Sequence, residues 1–364
     1  MWRVLVVLLL PLMFEDSFQE TDVACNTPRP PFQPKTFFGR TVCKVTQFPN
    51  SSIDQPAINV SDNVFNHTTG ILSTKIIPYA YIVAIIIGIP SNVFVLACLS
   101  RKRNLSTGIL YCSLAVSDLL LLVSLTLRVH YHINNNSWIF GELICKLVTA
   151  CFYGNIYCSI HAHMCICVMR YLAVVHPFRY RGLSKRYCAI WASLTVWVVF
   201  AIAMVPEFLI QQSYYVYGQE IITCHDIQPY DEKSYRALIP YRFSLICLGF
   251  ILPSLIIVFV YGSIIHHLNR SSRDWEHYIK ASTLVFVIFL LCFTPSSVFH
   301  YIHYVKLYTQ NQDYLYQYYR AAVCLCSFHS CLDPFLSYLL TKTSTSQPKF
   351  RSFTSGAEKP SFII

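Results

Sequence analysis

Seven apolar runs, each about as long as a bilayer is thick, constrain this chain more than any other feature. A helix needs roughly 20 apolar residues to cross ~30 Å of hydrocarbon. The runs at 76–99, 109–127, 147–169, 187–210, 243–265, 281–301 and 321–340 meet that length. Lipid offers no partner to a bare N–H or C=O, so each run must be helical. The chain is 54% hydrophobic and 13% charged, too apolar for a soluble fold of 364 residues.

A net charge of +10 raises the question of nucleic acid, but its placement answers it. Arg101, Lys102 and Arg103 follow the first run, and Arg179, Arg181, Lys185 and Arg186 separate the third from the fourth. Arg270 and Arg273 lie between the fifth and sixth, whereas the alternate loops are longer and poorer in cations for their length, with Lys233, Arg236 and Lys306 among them. Cation-rich loops face the cytoplasm, so the charge reads as membrane topology and no nucleic-acid partner is implied.

Residues 1–21 have one early cation, Arg3, and a short apolar core, the pattern of a signal peptide, with cleavage placed between Ser17 and Ala24. Residues 22–75 are rich in Pro, Asn, Ser and Thr and predict a disordered extracellular tail. The sequons at Asn50, Asn59 and Asn66 fall in that tail and the one at Asn135 in an outer loop, so these four are the predicted glycosylation sites. Asn104 and Asn269 also begin sequons but lie on the cytoplasmic side. The bundle occupies 76–340, and 341–364 forms a cytoplasmic tail. No internal repeat supports an inverted-repeat transporter.

An ionised side chain at mid-membrane costs ~2.5–3.5 kcal/mol on insertion scales. Asp118 and Asp333 therefore need a reason, and Asn92, Asn155 and Ser159 lie at comparable depth. Interhelical hydrogen bonding is the plainest one. A shared cation is the functional alternative, with a sodium ion held by Asp118, Asn155, Ser159 and Asp333. Pro90, Pro206, Pro253, Pro295 and Pro334 interrupt the runs as local kinks or as hinges.

Asn92, Leu114-Ala115-x-x-Asp118, Arg170-Tyr171, Phe289-x-x-Cys292-Phe293-x-Pro295 and Asp333-Pro334 stand in the order of the helix landmarks of rhodopsin-like G-protein-coupled receptors, which the chain resembles over 76–340. The resemblance implies an all-α, seven-transmembrane helix bundle and coupling to a heterotrimeric G protein. It assigns the switch to Arg170, Tyr171, Phe293, Pro295, Asp333 and Pro334, and pairs Cys145 with Cys224 in an extracellular disulfide. Trp138–Cys145, Phe152–Ser159, Ile222–Asp226, His176–Gly182 and Ser330–Phe335 look like the protease-activated receptors within that family.

That family implies a cleavage site, and Pro34-Lys35-Thr36 supplies one. Thrombin or another trypsin-like serine protease would cut Lys35–Thr36. The freed Thr36-Phe37-Phe38-Gly39-Arg40 would then act as a tethered ligand. A flexible tether of ~35–40 residues gives an effective concentration near the millimolar range. Asp226 is the first expected partner for the new ammonium, with His225, Glu207 and Asp313 also in the outer pocket. Cys25 and Cys43 flank the cut and are candidates for a second bridge.

The chain also departs from the family. Met169 replaces the usual acid before Arg170, His163 stands where an apolar residue is usual, and Ser337 where a tyrosine is usual. Weak autonomous signalling, and a supporting role beside another protease-activated receptor, would follow. The runner-up reading is a receptor for a diffusible small ligand such as a nucleotide. His161, His163, Cys165 and Cys167 lie close together but on different helix faces, which argues against a metalloenzyme centre. No P-loop, His-Glu-x-x-His or Gly-x-Ser-x-Gly pattern is present, so no enzymatic activity is expected.

Overall fold

The computed structural model describes residues 37–42, 57–60, 69–101, 108–216, 221–229, 241–270, 276–310, 316–335 and 337. Long helices dominate: α1 Ile77–Ser100, α2 Gly108–Ile133, α3 Gly141–Val175, α4 Lys185–Leu209, α5 Leu252–Asn269, α6 Glu276–Gln310 and α7 Tyr316–Cys326. Among the described residues, five helices are long and apolar enough to span a bilayer, the first from Leu72 and the fifth from Tyr241. The signal segment, Cys25, Lys35, Thr36, Cys43, Asn50, Asn66, Asp313 and the 341–364 tail lie outside the described residues.

Helix ends run past the apolar runs. α3 has 35 residues, about 52 Å at 1.5 Å per residue, so it projects beyond ~30 Å of hydrocarbon. The chain stays helical through Pro90, Pro206 and Pro295. Pro253 sits in the first turn of α5, directly after a π-helical turn, Cys247–Ile251. The wide turn there accommodates a residue that has no N–H to donate. α7 ends at Cys326, a turn crosses Ser327 and Phe328, and the helix resumes over 329–335.

The buried face of α2 (Leu121, Leu122, Leu125) packs with Phe152, Ile156 and Ile160 of α3 and Phe289 and Phe293 of α6. Ile86, Phe94, Trp191, Phe259 and Leu291 are exposed on the outside, as lipid contact requires. Polar bonds then fix the helix partners. Asn92 Nδ2 donates to the Ser330 carbonyl at 2.8 Å, joining α1 to the stretch after α7, and Trp197 Nε1 donates to Ser113 Oγ at 2.8 Å, joining α4 to α2.

The tail departs from the expected disorder. β1 Phe37–Val42 and β2 Ala57–Val60 are strands, and they join β3 Ser213–Val216, β4 Ile221–Cys224 and β5 Ile227–Pro229 in one sheet of order β4-β3-β2-β1-β5. β1 and β2 are antiparallel, with Gly39 opposite Val60, and β2 runs parallel to β3. β1 runs parallel to β5, with Phe37 opposite Ile227 and Gly39 opposite Pro229. The ladder partners that β1 and β2 find beyond each other come from a loop 190 and 158 residues further along the chain, respectively, so local composition gives no sign of them.

Candidate functional site

The β3–β5 loop is held against the helix ends by bonds of several kinds. Cys145 near the start of α3 and Cys224 at the end of β4 form a disulfide. Glu142, in the first turn of α3, accepts from the backbone N–H groups of Gln212 at 2.9 Å and Ser213 at 2.7 Å, and from the Ser213 hydroxyl at 2.6 Å. The Trp138 N–H donates to the Ile222 carbonyl at 2.7 Å. Between β4 and β5 the chain turns at His225, whose φ of 66° is in the left-handed region unusual for histidine.

That turn delivers Asp226 into the bundle mouth. Its carboxylate lies 3.4 Å from Arg320 of α7 and accepts from the hydroxyls of Tyr131 at 3.0 Å and Tyr316 at 3.3 Å. Arg320 also donates to Ser73 Oγ at 2.9 Å, and Asn136 Nδ2 donates to the same oxygen at 3.1 Å. Burial works to raise the Asp226 carboxyl, but Arg320, His132 and Arg128 outweigh it and hold the group below the usual carboxylate range. His225 is buried and its pKa is pushed down to about 4, mainly by that burial, although Glu207 pulls the other way. The neutral ring is matched by Gln212 Oε1, 2.7 Å from Nδ1.

Glu207 has its own cation. Arg242 reaches its two carboxylate oxygens from Nε at 3.0 Å and Nη2 at 3.1 Å, a paired geometry that fits a guanidinium. Asp226 and Glu207, expected from sequence to await an ammonium, are thus each partnered by an arginine of this chain. A cavity of about 40 Å³ opens beside them, with Tyr153, Glu207, His225, Arg242, His300 and Tyr316 among its lining residues. Asn135 is exposed in the turn after α2, with φ 53°, and Asn59 lies in β2.

A second polar group lies deeper. Asn155 Nδ2 lies within hydrogen-bond reach of Ser117 Oγ at 2.9 Å, Asp118 Oδ1 at 3.2 Å and Ser159 Oγ at 3.4 Å. Asp333 Oδ1 lies 3.1 Å from His163 Nε2, and Asp118 Oδ1 lies 3.5 Å from His329 Nε2. The four residues expected to hold sodium therefore converge, joined by two histidines. His329 went unread in the sequence although it stands four residues before Asp333, on the same helix face. Arg320 and Arg242 went unread too, since their acidic partners stand 94 and 35 residues earlier in the chain, respectively.

Toward the other end of α3 Arg170 donates to the Tyr111 hydroxyl at 2.8 Å, and the Tyr171 hydroxyl lies 3.2 Å from His176 Nε2. Phe293 is buried with its ring 4.7 Å from that of His329, Pro295 lies inside α6, and Pro334 is buried beside Asp333.

Residues 91–336 match the family described as 7 transmembrane receptor (rhodopsin family). The chain is 41% identical to proteinase-activated receptor 3 of Bos taurus, across 88% of this chain and 89% of that protein. It is 38% identical to proteinase-activated receptor 3 of Homo sapiens, across 93% and 95% of the two chains. It is 32% identical to proteinase-activated receptor 2 of Mus musculus, across 79% and 74%. Helix landmarks, a loop tied by disulfide across the bundle mouth and these likenesses agree, and the chain belongs to the proteinase-activated receptors of the rhodopsin family.

Proposed function

We propose that the chain sits in the plasma membrane with its N-terminus outside the cell and is switched on when a trypsin-like serine protease, thrombin among the candidates, cuts Lys35–Thr36. The freed segment from Thr36 to Arg40 acts as the tethered ligand, and the bundle passes the signal to a heterotrimeric G protein. The observation that carries this reading is the pairing of Phe37–Gly39 with Ile227–Pro229. The stretch immediately after the cut already lies along the loop that delivers Asp226 to the bundle mouth. Cleavage frees an ammonium one residue before Phe37, whose ladder partner Ile227 directly follows Asp226, and exchange of Arg320 for that ammonium is a route from cleavage to helix movement. Peptide docking by strand addition uses main-chain bonds for affinity and side-chain pockets for selectivity.

A diffusible small ligand fits less well. The outer cavity measures about 40 Å³, against ~300–1,000 Å³ for sites that engulf a small molecule. Expression with an N-terminal tag, followed by purified thrombin or trypsin, tests the reading. Tag loss and intracellular calcium should rise together in the wild-type chain, and Lys35→Ala should abolish both. Release at an unchanged rate from Lys35→Ala would place the cut elsewhere. A peptide beginning at Thr36 should stimulate the uncut Lys35→Ala receptor, and silence there would count against the tethered ligand.

A further inference from the structure

At the bundle mouth Arg242 is gripped by Glu207 and Arg320 by Asp226. Arg128 of α2, which lines a cavity beside them, is not. Its Nε and Nη2 are both buried without a hydrogen-bond partner among the described residues. Buried polar atoms in natural proteins are almost always partnered, and a guanidinium cannot escape by losing its proton. An unmatched edge of this kind marks a place made for something else.

The geometry narrows what that something is. The guanidinium carbon of Arg128 lies 4.1 Å from the centre of the Phe152 ring, so α3 covers one face of the group. Nε and Nη2 stand side by side on one edge of the guanidinium. By that same edge Arg242 holds the Glu207 carboxylate, at 3.0 and 3.1 Å. Two N–H groups that converge from a planar cation are suited to an anion, and at Arg128 no described acid fills the place.

Size and charge choose the anion. The cavity measures about 20 Å³, with Tyr81, Arg128, His132, Tyr153, Asp226 and Arg320 among its lining residues. A single water needs roughly 10–15 Å³, so the space admits one small particle and excludes phosphate or sulfate. The Asp226 carboxylate is already engaged by Arg320, Tyr131 and Tyr316. Two guanidinium charges therefore face one carboxylate, and His132, bonded through Nδ1 to Asn136 Oδ1 at 2.6 Å, adds no negative charge. Water would accept from Arg128 but leave that excess charge standing, whereas a monovalent anion satisfies the donors and balances the charge. We propose that the cavity binds a chloride ion, gripped by Arg128 Nε and Nη2, with Arg320 adding its charge from α7. The ion ties α2 to α7 beside the loop that carries Asp226.

Full-length receptor purified in detergent tests this, with chloride exchanged for gluconate at constant sodium and constant ionic strength. The wild-type melting temperature should rise with chloride and level off, as a single saturable site requires, and bromide should act in the same way. Arg128→Gln should flatten the curve. Arg128→Lys keeps the charge but loses the paired edge, so its midpoint should move at least about tenfold upward, the effect of one lost hydrogen bond to an ion. Arg186→Gln, at an exposed position, should keep the wild-type curve. A flat wild-type curve, or one that climbs without levelling, would overturn the proposal without any variant. So would an unchanged curve in Arg128→Gln or a curve lost equally in Arg186→Gln. If Arg128→Gln does not fold, an unchanged midpoint in Arg128→Lys would overturn it.

Discussion

Arg320 Nη2 lies 3.4 Å from Asp226 Oδ2, which ties α7 to the disulfide-held loop at the bundle mouth. Both groups are buried, so removing either leaves an uncompensated charge, at a cost of ~3–5 kcal/mol. Asp226→Asn and Arg320→Gln should each lower surface expression and melting temperature. The pair substituted together should lose less than the sum, because the partners act on each other. Simple additivity would show that the contact carries no coupling.

Mild acid should loosen the same loop through His225. Its folded pKa of about 4 lies below the ordinary value of about 6.5, so the unfolded chain binds the proton first. Stability is therefore highest above about pH 6.5 and falls as pH drops toward about 4, by up to ~3 kcal/mol. Asp226 works in the other window: its lowered pKa keeps it ionised throughout this range, and its contribution is lost only in stronger acid. His225→Asn removes the titrating ring and tolerates the 66° φ, since asparagine enters the left-handed region readily. Melting temperature against pH should slope less in that variant, and equal slopes would sink the assignment.

Loss of the Cys145–Cys224 bond should be severe. Removing a native disulfide typically costs ~2–5 kcal/mol, and this one closes the loop over the mouth. Cys145→Ala and Cys224→Ala are expected to reduce surface expression or protease-evoked calcium sharply. Wild-type behaviour in both would mean that the hydrogen bonds and ion pairs of Glu142, Trp138 and Asp226 hold the loop without the disulfide.

Gly249 is a packing requirement. A Cβ there would lie 2.6 Å from the Tyr157 ring, and that ring is stacked on Phe200 with only 5° between planes. The ring has little room to yield, so Gly249→Ala should cost ~1–3 kcal/mol of overpacking. Gly154, with nothing within 4 Å of an added Cβ, provides the control: Gly154→Ala should leave the melting temperature unchanged or raised. Equal behaviour of the two alanines would refute the close approach of α3 to the π-turn.

Bilayer thickness made the helices legible in the sequence, because seven runs of the required length admit no other spanning structure. The depth of Asp118 and Asp333 was legible for the same reason, as was the convergence of Asn155 and Ser159 with them. Long-range partners were hidden. Arg320 and Arg242 read as unremarkable cations until their acids arrived from other elements, and β1 and β2 depend on a loop far along the chain. His329 was within reach, one helical turn before Asp333, but a single histidine in an apolar run gives no sign of which neighbours it will face.

His163 sets the last expectation, that this chain signals weakly by itself. Its ring lies 6.1 Å from Phe289 and 6.2 Å from Phe293, centroid to centroid, while Nε2 meets Asp333 Oδ1 at 3.1 Å. One side chain of α3 thus touches α6 and the stretch after α7, so any rearrangement that separates these elements must break its contacts. A hydrogen bond to a charged group contributes ~1.5–3 kcal/mol, so losing it on rearrangement biases the equilibrium toward rest by about tenfold or more. His163→Leu removes the bond and leaves Asp333 poorly partnered at rest, and both effects favour the rearranged state. Expressed alone in cells lacking other protease-activated receptors, and cut to completion, the wild-type chain should give a small calcium response and His163→Leu a larger one at equal surface density. An equal or smaller response from His163→Leu would show that the bond does not restrain the switch.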